Sequence, residues 1–169
     1  MTPQRPNVGN QGHSLRLTPE WIVGFIDGEG YFHVGISKHD DLRSGFQVLP
    51  ELTVVQHKRD IDLLYELRSV MNCGVVRRNH GDRFCWRVRS LKNLNEVIIP
   101  FFDKYPLKSK KVLDYQKFRE VIMMMQQGEH LTKEGFSQIL KIASEMNRCK
   151  PKSWLDLRES PSQDENSGS

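Results

Sequence analysis

The stretch TPEWIVGFIDGEGYFHVGIS, residues 18–37, decides how the rest of the chain is read. Thr18 suits a helix N-cap, and Pro19 suits the first helical position, where a missing N–H costs nothing. Trp21, Ile22, Phe25 and Ile26 then recur at helical spacing. Gly28 and Gly30 end the helix. From Tyr31 to Lys38 the pattern changes to alternation, with Phe32, Val34 and Ile36 on one face of a strand. Two features are locally unfavourable. Asp27 and Glu29 put negative charge at a helix C-terminus, where the dipole favours cations. Gly24 and Gly28 share one helix face and cost about 1 kcal/mol each against alanine. A bound divalent cation would relieve the first defect, because Mg²⁺ takes carboxylates, backbone carbonyls and water. A second backbone packed closely on the glycine face would offset the other.

The chain has 169 residues, 37% apolar and 27% charged, which suits one soluble domain with a core of its own. No apolar run approaches membrane-spanning length, so no membrane partner is expected. The N-terminal stretch MTPQRPNVGNQGHS lacks the basic and apolar regions of a secretory signal. The net charge is +4, with the basic residues concentrated centrally: Arg77, Arg78, Arg83, Arg87 and Arg89 stand against Asp82 alone between positions 73 and 89. Such a patch points to nucleic acid or to a solvated face. Cys73, Cys85 and Cys149 are odd in number and far apart, which argues for a reducing compartment and against zinc.

Residues 1–15 read as a disordered arm, 16–152 as one domain and 153–169 as a tail, in part disordered. Within the domain a second strand is expected over Phe46–Gln56, with Val48, Leu52 and Val54 on one face. Pro50 inside it suggests an edge or a bulge. Asp60–Met71 reads as an amphipathic helix closed by Asn72-Cys73-Gly74. Cys73–Arg78 and Arg83–Ser90 read as a hairpin about Asn79-His80-Gly81-Asp82. Helices over Leu91–Ile99, Ser109–Gln127 and Thr132–Asn147 follow. The run Val121–Met125 is expected in the core, and Trp154 is expected to pack the C-terminal segment onto the body. This order gives the α+β class, an antiparallel sheet with helices on one face.

The segment IVGFIDGEG, residues 22–30, resembles the LAGLIDADG motif of homing endonucleases. Gly24, Asp27, an acid at 29 and Gly30 stand where that motif wants them. VVQHKRD after the second strand, YPLKSKK before the long helix, and EHLTKEGFSQILKIASEMNR resemble the same family, over roughly residues 15–148. The resemblance implies an αββαββα core with a saddle-shaped sheet that sits on double-stranded DNA. It implies Glu29 as the catalytic, metal-binding carboxylate, where the family often has Asp. The implied metal set is Glu29, Gly28 and Asp27, with Asp27 mainly structural, and the implied cofactor is Mg²⁺, with Ca²⁺ or Mn²⁺ able to substitute. Gln56 and Lys108 fall where the family places polar groups around the catalytic water, and Lys58 or Arg59 are further candidates to stabilise charge. The basic residue often found four positions after that Gln is here Asp60.

The motif occurs once, whereas cutting two strands takes two sites. The expected solution is a homodimer packed through Trp21, Gly24, Phe25 and Gly28, acting on a pseudo-palindromic target. The resemblance implies a staggered cut leaving 3′ overhangs. The alternating run RFCWRVR sends Arg83, Arg87 and Arg89 away from the Phe84/Trp86/Val88 face, and Arg77 and Asn79 extend that surface. Tyr31, His33 and Ser37 on the first strand and Gln47 and Thr53 on the second share it. Lys38 and Arg43, in the first loop, reach flanking bases or backbone. His57 lies near the proposed site, and neither it nor His80 has a partner at metal-ligand spacing. The alternative reading is an intron-RNA-binding maturase of the same family, with host intron RNA as partner; a non-cutting DNA-binding regulator is a third. An organelle (plastid or mitochondrion) or a prokaryotic cytoplasm is the expected location.

Overall fold

The computed structural model describes residues 16–42 and 44–146. The expected arm, Arg43, Cys149, Trp154 and the tail lie outside the described residues. Helix α1 (Pro19–Glu29) starts as its sequence dictates: Thr18 Oγ1 accepts a hydrogen bond from the Trp21 N–H at 3.2 Å. It passes directly into strand β1 (Gly30–Lys38). The junction needs glycine at position 30. A Cβ there would lie 2.6 Å from the Ile26 carbonyl oxygen and 2.5 Å from its side chain.

Strands β2 (Phe46–His57), β3 (Val75–His80) and β4 (Arg83–Val88) complete a four-stranded sheet in the order β1-β2-β4-β3, antiparallel throughout. Pro50 pairs opposite Val34 of β1, but β4 joins β2 only from Leu52 onward. The missing N–H therefore falls where β2 is locally an edge, in regular register and without a bulge. The hairpin starts at Val75 rather than Cys73, because Asn72 and Gly74 take left-handed conformations after helix α2 (Ile61–Met71). A short 3₁₀ turn, Lys58–Asp60, precedes that helix. The β3–β4 register slips between Arg78 and His80, so Asn79 lies in an irregularity beside the Gly81-Asp82 turn.

The pairing gives the sheet a simple rule. The strand residues in the core are Phe32, Val34, Val48, Leu52, Val54, Val76, Trp86 and Val88, all at even positions. Every one packs with residues from the helices: Ile22, Val23 and Ile26 of α1, Leu64, Leu67 and Met71 of α2, and the later helices. The helices thus cover one face, and the odd positions carry the other.

The helix expected over Leu91–Ile99 is longer. A first turn, α3 (Leu91–Asn93), runs through a π-helical segment (Leu94–Ile98) into α4 (Ile99–Lys104). Pro100 has no N–H to offer the carbonyl four residues back. The wider turn before it, in which the Ile99 N–H reaches Leu94 O, carries the helix past the proline instead of ending it. Helix α5 (Lys111–Gln126) and helix α6 (Lys133–Glu145) close the fold, α6 being capped by the Thr132 hydroxyl accepting from Gly135 N–H at 3.0 Å. Val121, Ile122, Met124 and Met125 are buried as expected.

Phe32 sits at the centre of an aromatic cluster, with ring centroids 5.2 Å from Phe118, 5.5 Å from Tyr115 and 5.6 Å from Phe102. The Tyr115 hydroxyl donates to Asp103 Oδ1 at 2.9 Å, with Ile99 O 3.1 Å away as a second acceptor sharing the same proton, and Arg119 pairs with Asp103 at 3.0 Å, so α5 is clipped to α4. Burial, reinforced by the Asp103 carboxylate, pushes the Tyr115 hydroxyl far up from its ordinary pKa and keeps it a donor. Phe118 is wholly buried. Phe118→Ala should therefore lower unfolding stability by about 3–5 kcal/mol, read from the urea midpoint at unchanged slope; a loss below about 1 kcal/mol would mean that the aromatic cluster does not hold α5 to the sheet.

Candidate active site and nucleic-acid face

The two acids at the end of α1 have different surroundings. The Asp27 carboxylate is engaged on both oxygens. Oδ2 accepts from the Lys108 N–H at 2.7 Å and the Ser109 N–H at 2.9 Å, and Oδ1 accepts from the Ser109 hydroxyl at 2.5 Å. Partial burial pushes its pKa up, but the Ser109 hydroxyl and these two backbone donors outweigh that and hold it below the ordinary carboxylate value. Glu29, two residues on, is exposed at the helix end. One acid is thus a clip between distant parts of the chain, and the other is presented outward.

Lys111 answers the dipole problem that the sequence raised. Its ammonium donates to Ile26 O at 2.9 Å and Gly30 O at 2.6 Å, capping the C-terminal carbonyls of α1. Burial lowers the Lys111 pKa, against the opposing pull of Asp27, Glu29 and Asp114. Neither Lys111 nor Ser109 was picked out from the sequence. The run Leu107–Lys111 offers three lysines, and nothing in it distinguishes the one that turns inward.

The Asp27 clip brings Lys108, exposed, to the carboxyl end of α1. Gln56 reaches the same end of the sheet. Gly30 pairs with Val54, and Gln56 lies two residues further along β2, half-buried on the helix-side register. His57 follows, its Nδ1 accepting from the Arg59 N–H at 3.3 Å. Lys58 is tied to the hairpin tip by an ion pair to Asp82 at 3.2 Å and by its N–H to the Asp82 carbonyl at 2.7 Å. Arg59 pairs with its neighbour Asp60 at 3.3 Å. Among the described residues no three His, Cys, Asp or Glu side chains gather where they could hold a metal ion. One chain offers Glu29, the Gly28 carbonyl and the already engaged Asp27.

Beside this end runs an open stripe. Trp21, Gly24 and Gly28 are exposed and Phe25 half-exposed, with the Trp21 and Phe25 ring centroids 4.7 Å apart. A Cβ at Gly24 or Gly28 would meet nothing within 4 Å. Among the described residues nothing packs against these glycines. A groove of about 240 Å³ lined by Val23, Gly24, Tyr105 and Lys108, among others, flanks the stripe.

The odd face of the sheet carries the residues expected there. Tyr31, Gln47, Arg77 and Arg83 are exposed, and His33 and Ser37 half-buried; Lys38 is exposed at the end of β1, and Asn79 is exposed in the hairpin irregularity. Tyr31 Oη and His33 Nδ1 lie 3.2 Å apart with their rings stacked. The middle of the face is unlike the bristling surface expected. Thr53 and Glu51 are buried, and the Arg87 side chain is only 16% exposed. Glu51 went unremarked, although strand alternation places it between Gln47 and Thr53. Arg78, an even position, instead donates from Nε to Gly81 O at 2.8 Å and closes the turn. Cys85, on the odd face, is wholly buried beneath this layer, and burial raises its pKa. Cys73 and Cys85 are free thiols.

A family model described as LAGLIDADG endonuclease matches residues 22–122. The chain belongs to the LAGLIDADG endonuclease family. It is 51% identical to the homing endonuclease I-TnaI, whose crystal structure superposes with a TM-score of 0.81, covering 85% of this chain and 97% of that one. It is 32% identical to I-SmaMI, solved bound to an uncleaved DNA target in the presence of calcium ions, with a TM-score of 0.83 over 86% of this chain and 50% of that one. In sequence it is 31% identical over 144 residues to the "Probable intron-encoded endonuclease 2" of Neurospora crassa, covering 83% of this chain. The chain spans 26%, 30% and 25% of the length of the first three curated relatives it matches. Among the described residues no helix is long and apolar enough to cross a membrane.

Charge-assisted hydrogen bonds of the kind Asp27 makes are worth about 1.5–3 kcal/mol each. Asp27→Ala should therefore speed hydrogen exchange at the Lys108 and Ser109 amides by about tenfold or more, while Glu29→Ala leaves both rates near wild type. Equal rates in all three proteins would remove Asp27 as the clip.

Proposed function

We propose that the protein is a site-specific, divalent-metal-dependent DNA endonuclease that works as a homodimer on a long pseudo-palindromic duplex and leaves 3′ overhangs. The observation that carries the reading is the division of labour at the end of α1. Asp27 is consumed in holding the Lys108 loop, and Glu29 is left exposed beside an open glycine stripe. The kinship to I-TnaI, a chain of similar span, supports a single-motif enzyme, and the DNA-bound I-SmaMI supports a duplex as substrate.

The donor set fits a hard cation shared between copies. One exposed carboxylate and a backbone carbonyl are too few for a closed site in one chain, but Mg²⁺ commonly takes one or two carboxylates and completes its shell with water and phosphate. Packing two stripes together would set two Glu29 carboxylates beside the two-fold axis, and Ca²⁺ or Mn²⁺ would fit the same ligands. When bound, such an ion lowers the pKa of water and offsets charge on the phosphate. The protein's own residues do the rest. Glu29 and the Gly28 carbonyl would hold the ion. Gln56, at the same end of the sheet, hydrogen-bonds the attacking water, and Lys108 faces the charge that builds on the phosphate oxygens. The odd face of the sheet, with Lys38 at the end of β1, supplies the DNA contacts, from Tyr31, His33, Ser37, Gln47, Thr53, Arg77, Asn79, Arg83, Arg87 and Arg89. The intron-encoded naming of the relative favours an organellar or prokaryotic intron as host, and its endonuclease naming favours cutting over the maturase alternative.

Glu29→Gln should reduce double-strand cleavage by at least about a thousandfold and change duplex affinity by less than about threefold, because it removes a charge at the reacting phosphate and little of the contact surface. Cleavage retained in that variant, assayed on a randomised pseudo-palindromic plasmid library with and without Mg²⁺, would take Glu29 out of the mechanism. Gly24→Leu fills the stripe with a branched side chain, and sedimentation should then show a monomer where the wild type is a dimer; a dimer of unchanged mass would place the interface elsewhere.

A further inference from the structure

Glu51 is the anomaly of the sheet's outward face. It lies at the middle of β2, on the odd register, with a side chain only 11% exposed. Its Oε2 accepts from Arg89 Nε at 2.6 Å and lies 3.7 Å from Arg87 Nε. Its Oε1 accepts from the Thr53 hydroxyl at 3.2 Å, and that hydroxyl in turn accepts from Arg87 Nε at 3.4 Å. Glu51 and Thr53 of β2, Arg87 of β4 and Arg89 just past its end thus form one network. A carboxylate here opposes DNA phosphates, and a buried ion pair of this kind is weak evidence for stability. Its effect falls on the arginines. A free arginine samples many rotamers, and fixing it on binding costs entropy. Here both guanidinium groups are held through Nε. That engagement does not use the Nη hydrogens, which are the ones that read a guanine edge as a pair.

We infer that Glu51 is a positioning residue for sequence discrimination: it holds Arg87 and Arg89 in fixed orientation for base reading and, by cancelling one positive charge, suppresses their indiscriminate attraction to phosphate. The inference rests on the DNA-binding reading above. It separates the outward arginines into two kinds. Arg77 and Arg83 are exposed at the flank, while Arg87 and Arg89 share an acid at the centre.

The test compares wild type with Glu51→Gln, which keeps the shape and loses the charge. Binding, not cleavage, is read against a library of duplexes randomised across the pairs protected by the sheet, and against one unrelated duplex over a range of salt. Preference for the best base over the worst at the pairs under Arg87 and Arg89 should fall about tenfold, the scale of one lost bidentate contact. Affinity for the unrelated duplex should rise severalfold, and its log–log salt slope should steepen by about 0.9, the value of one more phosphate neutralised. Unchanged base preference and slope in a folded variant would overturn the role of Glu51 alone. Wild-type protein that binds no duplex would overturn the DNA reading beneath it. A measurement on the wild type guards against a variant that fails to fold: ¹⁵N relaxation of the arginine Nε–H groups should show Arg87 and Arg89 ordered and Arg77 and Arg83 mobile. Equal mobility in all four would overturn the restraint.

Discussion

The carboxylate of Asp27 bridges positions more than 80 apart in sequence, and the arrangement of the candidate site depends on it. By accepting from the backbone of Lys108 and Ser109, it fixes the loop before α5 against the end of α1. Ser109 then accepts from the Lys111 N–H at 3.1 Å, and Lys111 reaches back to the carbonyls of Ile26 and Gly30. The contact is closed from both sides: an acid of α1 takes the first amides of the α5 approach, and a base of α5 takes the last carbonyls of α1. Glu29 lies between these two connections, so its backbone is held while its side chain stays in solvent.

Much of this was legible in the order of residues. The Thr18-Pro19 start, the glycine-punctuated end of α1 and the switch from helical to alternating spacing at Tyr31 are local signals, and the structure follows them. The single parity of the core across four strands is also local, repeated four times. What resisted reading was long-range. Lys111 cannot be told from Lys108 and Lys110 without knowing which carbonyls it meets. Pro100 marks a helix end by its chemistry, and only the neighbouring π turn lets the helix continue. Glu51 was legible as outward-facing, but its burial depends on arginines from another strand closing over it.

The candidate site shows the same division. The resemblance of residues 22–30 to a known motif implies Glu29 as the catalytic acid and Asp27 as mainly structural; in the structure Asp27 is engaged on both carboxylate oxygens and Glu29 is exposed. The glycines were read as a cost awaiting a compensation. Among the described residues no compensation is present, since none of their atoms lies within 4 Å of either missing Cβ. That open stripe, set beside the exposed Trp21 and the half-exposed Phe25, is where the proposed second copy would pack.

The parity of the sheet has a consequence for how such a protein changes over time. Even positions answer to the core and odd positions to whatever lies across the sheet, so the two sets are under separate selection. Exposed odd positions such as Gln47, Arg77 and Arg83 can be exchanged without repacking a helix. On the proposed DNA-reading face, new recognition would therefore be explored on a body whose stability stays the same. Glu51, Thr53 and Cys85 are the exceptions, odd by register yet buried. They are the points on that face where, if it reads DNA as proposed, drift in recognition and the integrity of the fold would be bound together, and where a lineage seeking a new target would be slowest to move.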